Sequence, residues 1–152
     1  MADGEFYLDD LQVGQRFVSG LHIIDEAQIV AFAAQFDPQP FHVDDQAARG
    51  SLFGGLAASG WHTAAITMRL MVEGGLPLHG GIVGVGVEIA WPRPTRPGDT
   101  LQVEAEVAEI TPSRSRPDRG VLVMRCATRN QHGEVVQTLV SRLVVPRRPA
   151  QS

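Results

Sequence analysis

The spacing of apolar residues changes once along this 152-residue chain, and that change limits what it can fold into. In the two helices read before Gly81 the apolar positions recur at three and four residues, the period of an amphipathic helix. In "DEAQIVAFAAQF" they are Ile29, Phe32, Ala33 and Phe36, with Asp25 placed to cap the helix. In "GWHTAAITMRLMVEGG" they cover most sides of the helix, which predicts a buried helix over residues 60–73, capped by Ser59 and ended by Gly74 and Gly75. From Gly81 onward the period is two. "GIVGVGVEIAW" puts Val83, Val85, Val87 and Ile89 on one face. "TLQVEAEVAEI" puts Leu101, Val103, Ala105 and Val107 inward, with Gln102, Glu104 and Glu106 outward. "GVLVMRCATRN" and "EVVQTLVSRLVVP" read as two further strands, with turns at "RPGD" (96–99) and "NQHG" (130–133).

The order is therefore a short strand through Leu21, His22 and Ile23, a helix, a proline loop, a buried helix, then four antiparallel strands. One buried helix beside one long antiparallel sheet predicts an α+β layer in which the sheet wraps the helix. Such a sheet has unpaired edges, and edge-to-edge pairing of two copies is one way to cover them. No linker or internal repeat divides the chain, so it is read as one domain over residues 1–152, with about 146–152 as a flexible tail.

Composition narrows the partners. The balance of 13 basic against 17 acidic residues gives a net charge of −4, unlike the basic domains that grip nucleic acid. No apolar run reaches the about 18 residues of a membrane span, and the acidic opening "MADGEFYLDD" does not read as a signal peptide. The single Cys126, in an apolar strand, reads as a small buried hydrophobe and fits a reducing, cytoplasmic setting. His22, His62, His79 and His132 are scattered without ligand spacing, so no metal is expected. Trp61 and Trp91 read as core in preference to the lining of a tunnel.

"FDPQPFHVDD" (36–45) concentrates chemistry in a stretch that prolines make stiff. Asp37 and His42 lie five residues apart across Pro38 and Pro40, and a braced turn of this kind can hold a carboxylate and an imidazole near one point. The two can share acid–base work near neutral pH. Equally, Asp37 can close a helix while His42 bonds a backbone carbonyl. At "ASGWH", Ser59 and Gly60 begin the buried helix. Ser59 and Gly60 can simply cap the helix, the free N–H groups there can stabilise an oxygen that gains negative charge, or both can hold together.

Three stretches, "FDPQPFHVD", "FGGLAASGWHT" and "WPRPTRPGDTL", resemble in order the MaoC-like dehydratases, also called the hydratase 2 group of the hotdog fold. The family motif G-D-x-N-P-[LIV]-H is matched at Asp37, Pro40 and His42. The chain has Phe36 for its Gly, Gln39 for its Asn, and Ser59 where His is common before the oxyanion glycine. The resemblance implies a hotdog fold and a homodimer, with pairing of dimers left open. It implies reversible hydration of a trans-2-enoyl thioester to a 3-hydroxyacyl thioester, a reaction of fatty acid metabolism. The substrate is carried on coenzyme A or a carrier protein, and no separate cofactor is needed. Asp37 and His42 would handle the water and its protons, Gly60 N–H would hold the thioester oxygen, and Ser59 and Gln39 would border the site. Arg93, Arg96, Arg114, Arg116 and Arg119 can meet coenzyme A phosphates or remain solvated. A hotdog thioesterase and a non-catalytic acyl-thioester-binding subunit are the competing readings.

Overall fold

A computed structural model describes residues 5–150. A 3₁₀ turn (Leu8–Asp10) leads into strand β1 (Arg16–Ile23), then helix α1 (Glu26–Phe36) and the short helices α2 (Pro40–Val43) and α3 (Asp45–Arg49). Helix α4 (Gly60–Leu70) continues into a π-helical turn (Met71–Gly75), and strands β2 (Val83–Ala90), β3 (Thr100–Pro112), β4 (Arg119–Arg129) and β5 (Val135–Pro146) follow. The five strands form one sheet in the order β1-β3-β4-β5-β2, with every pair antiparallel. Helix α4 packs against β1 and β3. This is a hotdog fold: an antiparallel sheet around a central helix.

Pattern and packing agree best at the centre of the sheet. Leu101, Val103, Ala105 and Val107 of β3 are all buried, and Leu122, Met124, Leu143 and Val145 of the neighbouring strands join them. Asp25 caps α1 by accepting from Gln28 N–H at 2.8 Å. At "RPGD", Gly98 takes φ 89°, and Asp99 N–H donates to the Arg96 carbonyl at 3.1 Å. Cys126 is buried, and that burial pushes its thiol up to about 12.

Four expectations need correction. Helix α4 is not buried all round. Its inward face carries His62, Thr63, Ile66, Thr67 and Leu70, whereas Trp61, Met68 and Val72 are exposed. The buried threonines find polar partners: Thr67 Oγ1 lies 2.6 Å from Thr128 Oγ1 and accepts from Gln137 Nε2 at 3.0 Å. Second, Val83, Val85 and Val87 are exposed. Strand β2 is an edge with a bulge between Gly84 and Gly86, which breaks its alternation. Third, Trp61 and Trp91 are not core; they are exposed and meet edge to face at 5.3 Å. Fourth, the tail is tied down through Arg148. Arg147 donates to Asp9, and Arg148 to Asp10 at 2.7 Å, its guanidinium also lying 4.8 Å above the Tyr7 ring. Residues 151–152 of the expected tail lie outside the described residues.

Candidate active site

The site begins where α1 is forced to stop. Asp37 precedes Pro38, whose ring disfavours helical backbone in the residue before it. Asp37 accordingly takes φ −155° and ψ 65° as the C-cap of α1. Pro40 then opens α2 at a position where a missing N–H costs nothing. The resulting bend folds residue 42 back onto residue 37, and His42 Nε2 lies 3.4 Å from Asp37 Oδ2.

Both side chains are held by further partners. His42 is 5% exposed, and its Nδ1–H donates to the Ala57 carbonyl at 2.6 Å. A carbonyl oxygen can only accept, so this bond assigns the proton to Nδ1 and turns Nε2 toward the carboxylate. Asp37 Oδ2 accepts from Ser59 Oγ–H at 2.7 Å, and Oδ1 accepts from Gln39 Nε2–H at 2.6 Å. Burial pushes the Asp37 carboxyl up, but the Ser59 and Gln39 donors and the nearby His42 outweigh it and leave the group below the usual carboxylate value. The substitution of Gln for the family's Asn thus leaves a donor on the carboxylate.

Ser59 is fully buried and does two jobs, since its Oγ also accepts from Trp61 N–H at 3.3 Å as the α4 cap. The N–H groups of His62 and Thr63 donate to the Ser59 carbonyl. Among the described residues none accepts from Gly60 N–H, which stands free at the positive end of the helix. A Cβ on Gly60 would come within 2.5 Å of the Trp91 ring. Glycine is therefore required here by an indole of the same chain.

His42, Gly60, Thr63, Trp91 and Phe53 line a cavity of about 310 Å³. Asp37 is not among the residues that line it; its Oδ2 lies 3.4 Å from His42 Nε2, a lining residue. A second depression of about 300 Å³, on the outer face of the sheet, is bordered by Arg16, Glu104, Glu106, Arg125 and Arg129. Its interleaved charges are those of a solvated strand face.

The five sequence-predicted site residues, Asp37, Gln39, His42, Ser59 and Gly60, come together. Of the five arginines only Arg93 lines the same cavity as His42, and they do not gather as one phosphate cluster. Arg96 donates to the Phe53, Gly55 and Leu56 carbonyls. Arg93 pairs with Glu134 at 2.9 Å, and Arg119 with Asp118. Arg114 and Arg116 are exposed on the β3–β4 hairpin, about 40 Å along β3 from Thr100 at 3.3 Å per residue. Sequence reasoning missed the polar chain behind the cavity. Trp91 Nε1–H donates to Gln137 Oε1 at 3.0 Å, and Gln137 in turn donates to Thr67. Its one sequence signal is the i,i+4 pair Thr63 and Thr67 on a helix read as apolar. Among the described residues no cluster of metal-ligating side chains occurs.

A crystal structure of a MaoC-like dehydratase from Rhodospirillum rubrum superposes with a TM-score of 0.94 at 61% identity, covering 95% of this chain and 99% of the other. The uncharacterized protein YdeM of Bacillus subtilis is 34% identical over 127 residues, which is 82% of this chain and 87% of YdeM. A 3-hydroxybutyryl-CoA dehydratase of Methylorubrum extorquens is 30% identical over 116 residues, or 72% of this chain and 69% of that protein. The MaoC like domain itself matches residues 11–124, a span from Leu11 to Met124 that contains the whole Asp37–His42–Gly60 arrangement, and the chain therefore belongs to the MaoC-like family of hydratases and dehydratases.

Proposed function

We propose that the protein adds water reversibly to a trans-2-enoyl thioester of coenzyme A or a carrier protein, giving a 3-hydroxyacyl thioester. One observation carries the reading: His42, fixed by the Ala57 carbonyl and flanked by Asp37, shares a 310 Å³ cavity with the Gly60 N–H, which has no partner among the described residues. Hydration needs both ends of that cavity. Water adds its oxygen to C3, and the C2–C3 electron pair moves toward the thioester carbonyl, whose oxygen becomes negative. A fixed N–H at a helix start stabilises that oxygen, typically by about 10²–10³-fold in rate per donor. The acid–base pair removes a proton from the water and returns one to C2, worth about 10²–10⁴-fold. With Nδ1 carrying a proton, Nε2 of the neutral ring is the open acceptor. The depressed Asp37 carboxyl remains an anion beside it. The 3-hydroxybutyryl-CoA dehydratase relative supports an acyl-CoA substrate.

The working unit in this reading is a cytoplasmic homodimer. Its support is the exposed apolar surface on edge strand β2 and on α4, at Val83, Val85, Val87, Trp61, Met68 and Val72.

Crotonyl-CoA separates the readings. The hydratase consumes the enoyl absorbance without releasing thiol, and this is the expected result. Thiol release would assign a thioesterase, and binding with neither reaction a non-catalytic acyl-thioester subunit.

A further inference from the structure

We infer that Arg96 is a positioning residue that acts on His42 through the loop between α3 and α4; the inference rests on the hydratase reading. Residues 51–59 contain no regular strand or helix, yet Ala57 in this loop supplies the carbonyl that fixes the His42 ring. A carbonyl in an irregular glycine-bearing loop holds its place only if the loop is held. Arg96 does most of the holding. Its guanidinium donates to Gly55 O at 2.9 Å, to Leu56 O at 3.3 Å, and to Phe53 O. Three carbonyls of a four-residue run thus converge on one planar cation immediately before Ala57.

Arg96 is itself anchored. Its N–H donates to Asp99 Oδ2 at 2.8 Å, and Asp99, buried in the turn ahead of β3, accepts from Gln131 Nε2–H at 3.0 Å through Oδ1. Two backbone bonds complete the frame: Ala57 N–H to the Phe41 carbonyl at 3.3 Å, and Ala58 N–H to the Thr95 carbonyl at 2.9 Å. The sheet therefore fixes the Arg96 turn, the turn fixes the loop, and the loop fixes which nitrogen of His42 is protonated and where Nε2 points. Arg96 does not itself line the cavity and reaches it only through the backbone of the loop, whose Phe53 and Ala58 do line it. Lysine is not equivalent, because a single ammonium cannot span three carbonyls as a guanidinium fork can.

The test compares full-length wild type, Arg96→Met, Arg96→Lys and, as a control, Arg16→Met, whose exposed arginine pairs with Glu106 on the outer sheet. Two quantities are read: steady-state hydration of crotonyl-CoA, and the ¹H–¹⁵N signal of the His42 Nδ1–H, assigned by its absence in His42→Ala. Both Arg96 variants are expected to lose about 10- to 100-fold in kcat, the cost of misplaced groups, with KM changed by no more than about twofold. Their Nδ1–H signal exchanges faster than in wild type, and Arg16→Met matches wild type in both readouts. A folded Arg96→Lys with wild-type kcat and an unchanged Nδ1–H signal overturns the inference, and Arg96→Lys decides alone where Arg96→Met does not fold. A rise in KM at constant kcat also overturns it. A wild type that does not hydrate crotonyl-CoA removes the hydratase reading, while the Nδ1–H signal still decides whether Arg96 positions His42.

Discussion

His42 has one nitrogen occupied before any substrate arrives, and that asymmetry gives the site its direction. The Ala57 carbonyl takes the Nδ1 proton, so Nε2 is left for the reacting water. Asp37 is arranged differently. Each of its oxygens accepts one side-chain hydrogen bond, from Gln39 and from Ser59, and a carboxylate has lone pairs left for a water as well. A third ionisable residue, His62, stands apart. It stacks on Phe32 with ring centroids 4.5 Å apart, is 8% exposed, and its Nδ1 has no partner among the described residues. Burial, with a smaller contribution from His22, lowers it to about 4 from 6.5. Between those values the unfolded chain binds a proton that the folded chain does not. Stability therefore falls as pH drops from about 6.5 toward 4, by about 1–3 kcal/mol for a shift of this size. Thermal melts across that window should show this slope in wild type and a shallower one in His62→Phe.

Among the elements, those whose partners lie close in sequence were legible and those facing distant surfaces were not. The Asp25 cap, the 96–99 and 130–133 turns and the alternation of β3 all follow from local chemistry, and all are present. The proline-braced juxtaposition of Asp37 and His42 was legible for the same reason. The role of Arg96 was not, because its acceptors lie about 40 residues earlier and backbone carbonyls leave no trace in a sequence. Periodicity also misjudged α4, since its inner face mixes Ile66 and Leu70 with buried His62, Thr63 and Thr67, and Thr67 bonds to β4 and β5. Gln137, fully buried, joins β5 to α4 and to the Trp91 ring. Gln137→Leu should destabilise the fold by about 1–3 kcal/mol, the cost of leaving buried partners unsatisfied, and a denaturant titration measures it.

For the whole molecule, exposed apolar residues of α4 and of the segment after β2 meet beside the cavity, where the Trp61 and Trp91 rings pack edge to face. Trp61 follows Gly60, and Trp91 follows the end of β2 at Ala90 and lines the cavity. A second copy pairing along β2 would cover Val83, Val85 and Val87 and close the sheet edge. Sedimentation equilibrium should give twice the 16.4 kDa chain mass for wild type and a monomer for the Val85→Lys, Val87→Lys double variant. That variant should also lose hydration, because the cavity wall adjoins the edge. The central claim, that the braced carboxylate and imidazole carry the chemistry, is tested most directly by Asp37→Asn, which keeps the shape of the side chain and removes its charge. Initial rates of crotonyl-CoA hydration should fall by about 10²–10⁴-fold in a variant that melts and sediments like wild type. A rate within about threefold of wild type, where acid–base loss of that size is expected, would contradict the account.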